Sequence, residues 1–117
     1  KSVEIETINK KLRKGSMHKP FSNCDVIVEA LDDAETKTSF IEDVTRNLID
    51  IPIVSCSGVS GYGHIDRVKT KKLGNLYVVY DKFAKDSNID ILTAPRVTLL
   101  ANWQANIVLE LILGEDR

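Results

Sequence analysis

A chain of 117 residues has room for one domain and a modest hydrophobic core. Its 43 % apolar and 28 % charged residues are ordinary for an α/β or α+β domain, and a net charge of −1 gives no reason to expect nucleic acid or anionic lipid as a partner. No apolar run approaches the ~20 residues of a membrane span.

In chain order, residues 3–8 (VEIETI) alternate apolar and polar and predict a half-buried strand. Residues 16–22 predict one helical turn that Pro20 stops. Residues 24–30 contain the unbroken run Val26-Ile27-Val28, expected of a central parallel strand covered on both faces. Asp32 or Asp33 then starts a helix, with Glu35 at capping-box spacing from Asp32. Ala34, Phe40, Ile41, Val44 and Leu48 share its apolar face; Glu35, Lys37, Glu42, Asp43 and Arg46 fall elsewhere. The helix must end before Pro52. Residues 51–57 (IPIVSCS) predict a second parallel strand and so a βαβ unit.

GVSGYG at 58–63 has its glycines in the order G-x-x-G-x-G and precedes a strand-like segment, so it is not a phosphate loop. The glycines instead suit a tight crossing or the close approach of another backbone. Residues 64–70 and 76–80 predict an antiparallel hairpin turning at Gly74-Asn75. Residues 82–92 are polar and irregular, and a mobile loop is expected there. Thr93 is the expected cap of a last helix that tolerates Pro95 in its first turn and ends at Gly114. Apolar residues cover most of that helix's circumference, which predicts burial on more than one side, against a partner subunit or a missing part of the same chain, and a homodimer is expected.

Cys24 and Cys56 lie in apolar runs with no secretory signal, so both are expected as buried thiols in a reducing, cytoplasmic setting. His18 and His64 stand alone, there is no C-x-x-C pair, and zinc is not expected. Lys10, Lys11, Arg13 and Lys14, and again Arg67, Lys69, Lys71 and Lys72, read as solvated faces. The Asp32-Asp33 pair carries the most chemical promise. It follows an apolar strand and opens a helix, where open α/β sheets collect ligands and where Mg²⁺ on a phosphate needs a carboxylate oxygen. The alternative is that one aspartate caps the helix and the other is solvated.

Three stretches, in order, resemble the ThiF/MoeB/HesA adenylyltransferases, relatives of the ubiquitin-activating enzymes: CDVIVEALDDAETK at 24–37, IPIVSCSGVSGYGHI at 51–65 and TAPRVTLLANWQANIVLELILG at 93–114. The first is similar to the family's strand followed by D-C-T-D-N, with Asp33 in place of the usual asparagine. The resemblance implies a Rossmann-like parallel βαβ core extended by an antiparallel hairpin and ending in a long apolar helix. Residues 1–117 would form a single domain, the C-terminal half of the family's fold.

The activity implied is ATP-dependent activation of the C-terminal glycine of a ubiquitin-like sulfur-carrier protein, of the thiamine-biosynthesis type. Asp32 would hold Mg²⁺, Asp32 and Asp33 would contact the nucleotide, and Ser57, Gly58 and Gly61 would border the carrier's Gly-Gly tail. The family's ATP loop, ribose-binding acid and phosphate-binding arginine and lysine precede the segment present here, so this segment alone is expected to be inactive. The start at Lys1, directly before a strand-like segment, is an odd place for a natural domain to begin. The zinc-binding C-x-x-C pairs of the MoeB branch are absent, which points to the shorter zinc-free branch, and the 82–92 loop offers no sulfur-transfer cysteine. A second reading keeps the fold without the chemistry, as a carrier-binding or dimerisation module. A third, the distal part of a dinucleotide-binding dehydrogenase, fits the hairpin and the 93–114 helix less well.

Overall fold

A computed structural model describes residues 2–85 and 90–114. Its regular elements are β1 (Ile27–Val28), α1 (Ala34–Asn47), β2 (Ile53–Ser57), β3 (Lys69–Leu73), β4 (Leu76–Tyr80) and α2 (Ala94–Leu113), with 3₁₀ turns at Lys19–Phe21 and Ile65–Arg67. The four strands form one mixed sheet in the order β1-β2-β4-β3. β1, β2 and β4 run parallel, and β3 is antiparallel to β4. The expected parallel β-α-β unit and the added hairpin are both present, and the hairpin joins the sheet through its second strand.

Alternation along β2 sorts the core into two layers. Ile53 faces α1 with Ile27, Phe40, Val44 and Met17. Val54 and Cys56 face α2 with Val79, Val68, Leu100 and Ile107. At roughly 25 cal/mol per Å² of apolar surface, each fully buried side chain of this kind contributes about 1.5–3 kcal/mol. One helix on each face also explains why β2 reads as a continuous apolar run.

The caps of both helices follow the sequence. Asp33 caps α1 through the Thr36 N–H, Thr93 caps α2 through the Arg96 N–H, and α2 gives way to Gly114. α2 buries one face (Arg96, Leu100, Gln104, Ile107) and leaves Val97, Leu109, Ile112 and Leu113 exposed. No helix among the described residues is long and apolar enough to cross a membrane.

Five expectations need correcting. The run at 26–28 is not a central strand covered on both faces: β1 is two residues at the edge of the sheet, paired among the described residues with β2 alone, and Val28 is 49 % exposed. An apolar run marks a segment that packs, not the number of strands that flank it. Residues 3–8 form no strand: no described segment pairs with them, and Val3 and Ile5 stay about four-fifths exposed (79 % and 80 %). An alternating pattern supplies a face, but a strand also needs a partner edge. Strand β3 starts only at Lys69, because His64 takes a left-handed conformation (φ 48°) and opens a 3₁₀ turn. Cys24 is exposed, and only Cys56 is buried. Asp43 lies on the inner side of α1, where its carboxylate accepts from the Met17 N–H (2.6 Å) and the Asn47 amide (2.8 Å) and pairs with His18 Nδ1 (3.1 Å). That contact fastens the 16–22 turn to the helix. Of the expected 82–92 loop, residues 86–89 lie outside the described residues, and the rest has no strand or helix.

Candidate functional site

Because β1, β2 and β4 are parallel, the segments leaving their carboxyl ends (29–33, 57–63 and 81–85) gather at one end of the sheet. In open α/β sheets that end is where ligands bind. The N-terminus of α1 lies there too, since α1 follows β1 directly. α2 begins there as well, for Arg96 in its first turn reaches both Asp81 and the Gly63 carbonyl.

The two aspartates divide their roles. Asp33 accepts from the Thr36 N–H (2.8 Å) and the Thr36 hydroxyl (2.6 Å), and these bonds hold its carboxyl below the ordinary value. Asp32 is exposed and, among the described residues, has no hydrogen-bond or ion-pair partner. Its carboxylate is therefore free toward solvent at the tip of the β1–α1 connection.

Beneath that tip lies a polar network that the sequence pattern did not disclose. Glu29, the residue after β1, is 1 % exposed. Its carboxylate accepts from Lys37 Nζ (2.9 Å to each oxygen), from the Leu31 N–H (2.7 Å) and from the Ser55 hydroxyl. Lys37 Nζ also donates to the Cys56 carbonyl (2.9 Å). On the opposite face, the Gln104 amide donates to the backbone carbonyls of Glu29 (3.2 Å) and Val54 (3.3 Å). A buried carboxylate is tolerated when paired and hydrogen-bonded, and the four bonds to the Glu29 carboxylate hold the β1–α1 connection against β2 and α1. The one available signal was a glutamate closing an otherwise apolar strand. Lys37, placed off the apolar face, in fact points inward to meet it.

A second buried network ends β4. Asp81, 3 % exposed, pairs with Arg96 (3.1 Å) and Arg67 (3.5 Å) and accepts from the Phe83 N–H (2.9 Å). Burial pushes its carboxyl up, but the Phe83 and Arg96 hydrogen bonds and the charges of both arginines outweigh that and hold it below the ordinary value.

The glycine loop is fixed between these segments. Gly58 has φ +78°, and a side-chain carbon there would stand 2.6 Å from the Asp81 carbonyl oxygen. The expected close backbone approach is thus made by the chain itself. Further along, the Gly61 N–H donates to Ile91 (2.8 Å), the Thr93 hydroxyl donates to Gly61 (2.9 Å), and the Ser60 hydroxyl donates to Lys85. Ser57 is exposed at the end of β2. An open, largely apolar pocket of about 640 Å³ lies beside this loop, between Tyr62, Ile65, Pro95 and Leu99. The expected site residues fall on neighbouring strand ends: Asp32 and Asp33 after β1, Ser57, Gly58 and Gly61 at and after β2.

No family model, curated protein or solved structure matches this chain.

Proposed function

We propose that this chain forms the distal part of a ThiF-type, Rossmann-like adenylyltransferase site that activates the C-terminal glycine of a ubiquitin-like sulfur carrier with a Gly-Gly tail. The observation that carries the reading is Asp32: an exposed carboxylate, without a partner among the described residues, at the carboxyl end of a parallel strand. Its loop is held from below by the Glu29–Leu31 hydrogen bond and from ahead by the Asp33 cap.

In this reading ATP and Mg²⁺ approach the β1 end of the sheet. Mg²⁺, which needs only one or two protein carboxylates, would be held by Asp32 and would neutralise phosphate charge there. A single free carboxylate at Asp32 fits that demand. Asp33 stays beside the nucleotide while its carboxylate serves the helix. The carrier's terminal carboxylate attacks the α-phosphorus, the bond to the β-phosphate oxygen breaks, and pyrophosphate leaves. The chain's contribution is positioning and charge neutralisation, so no side chain need move a proton. Ser57, Gly58 and Gly61 border the path of the tail, and the apolar pocket beside Tyr62 gives the carrier's last residues a surface to lie on. The exposed Leu109, Ile112 and Leu113 of α2 support association as a homodimer.

The test is carrier-dependent ATP–pyrophosphate exchange by the longest natural polypeptide containing this segment, beside its Asp32→Ala variant. Exchange that collapses in the variant is the expected result. A folded natural protein with no exchange would overturn the enzymatic reading and leave the carrier-binding or dimerisation module in its place.

A further inference from the structure

Arg67 and Lys82 converge on one aromatic ring. The Arg67 guanidinium carbon lies 5.3 Å from the Phe83 centroid and Lys82 Nζ lies 5.1 Å from it. Both belong to the rim of an open pocket of about 510 Å³ at the carboxyl end of β4, with Lys69, Thr70, Tyr80 and Asp66. Three cations there face one carboxylate of the rim. The buried Asp81 does not redress the balance, because it is shared between Arg67 and the buried Arg96.

Arg67 carries a further mark. Its Nε is buried and has no hydrogen-bond acceptor among the described residues. A buried guanidinium N–H without an acceptor is costly, and like charges gathered on one ring repel. The enclosed Nε lies out of reach of the pocket, but the Arg67 side chain as a whole is about one-third exposed. An oxygen-rich anion in the pocket relieves the repulsion. It accepts from guanidinium N–H groups, from the Lys69 and Lys82 ammonium groups and from the Thr70 hydroxyl, with Tyr80 and Phe83 as an aromatic wall. The Arg67–Lys72 basic run, which reads in sequence as a solvated face, therefore has a built end at Arg67 and Lys69.

We propose that this pocket is a binding site for a phosphate-type oxyanion. The site is separate from Asp32, two strands away across β2 and β4, and it does not depend on the adenylyltransferase reading.

The experiment is an NMR titration of the isotope-labelled chain with inorganic phosphate and with pyrophosphate, without ATP or carrier. The expected result is saturable movement of the Arg67 side-chain N–H and of the Lys69, Thr70 and Lys82 signals. Affinity should fall about tenfold in a Lys69→Ala/Lys82→Ala variant, the effect of losing charge-assisted hydrogen bonds. Both substitutions are at exposed positions, so the fold should survive them. A Lys10→Ala/Lys11→Ala variant, which removes charge elsewhere, should bind as the parent does. Absence of saturable shifts, or equal binding by the Lys69/Lys82 variant, would overturn the site. So would hexaglutamate outcompeting pyrophosphate, because the pocket would then select carboxylates of an acidic polypeptide.

Discussion

Asp81 and Arg96 meet at 3.1 Å, both almost wholly buried, and join the end of β4 to the first turn of α2. Removing one member of such a pair strands the other charge, at a cost of about 3–5 kcal/mol. Asp81→Asn should lower the urea midpoint accordingly. The pH dependence has a definite sign. The folded carboxyl titrates below its unfolded value, so its stabilisation is present above the usual carboxylate pKa near 4 and is lost as pH falls through the lower folded value. Asp33 titrates in the same direction and window, so the measurement is the wild-type minus Asp81→Asn difference. That difference should be constant from about pH 7 to 5 and shrink below about pH 4.

Glu29 and Lys37 form the corresponding pair under the β1–α1 connection. Glu29→Ala should destabilise by about 3 kcal/mol, the low end for a broken buried pair, because Lys37 is 24 % exposed and can turn to water. A Glu29→Leu/Lys37→Met double variant should recover much of the loss. Urea unfolding of the wild type, Glu29→Leu, Lys37→Met and the double variant gives the coupling energy. If the double variant is as unstable as the sum of its parts, the pair is not coupled as described.

Gly58 and Gly15 separate conformation from crowding. Both have positive φ, but only at Gly58 does a new carbon meet backbone. Gly15→Ala should cost about 1 kcal/mol. Gly58→Ala should cost at least about 2 kcal/mol more, because Asp81 and its ion pairs must move. Equal losses in thermal or urea unfolding would refute the close approach.

The two thiols should differ in reactivity. Burial is the main influence on Cys56 and raises its pKa to about 11, whereas Cys24 is exposed. A thiol reagent at pH 8 should therefore modify one cysteine rapidly in the native chain and both in denaturant. The Cys24→Ser variant should show no fast phase.

Light scattering at micromolar concentration tests the dimer. The expected mass is that of two chains, falling to one in a Leu109→Lys/Ile112→Lys variant whose far-ultraviolet spectrum is unchanged. A monomeric parent would remove this part of the proposal.

Local signals were legible in the sequence, and long-range electrostatics were not. Thr93, Gly114 and the Asp32-Asp33 pair fixed the helix ends because a cap is a contact within one turn. Gly74 and Asn75 marked the hairpin for the same reason. By contrast, Glu29 meets Ser55 across 26 residues, Arg96 meets Asp81 across 15, and Asp43 meets Met17 across 26. No periodicity distinguishes a charge that will be buried from one that will be solvated. The same limit explains residues 3–8, where a strand pattern was present without a described edge to pair with.

The sheet order has a consequence for how the chain assembles. β2 pairs with β4, but β3 and the glycine loop are made first, so the apolar Ile53–Ser57 edge emerges before its neighbour exists. During synthesis that edge has only the short β1 beside it and waits for about 20 residues, on the order of one to four seconds at ordinary elongation rates. The hairpin, turning at Gly74, can close on its own in microseconds and then dock as a finished unit, β4 side first. An open strand edge on a nascent chain is prone to pair with another copy of itself. Slowing the hairpin turn would therefore lower the yield of soluble protein more than it lowers the stability of the molecules that finish folding.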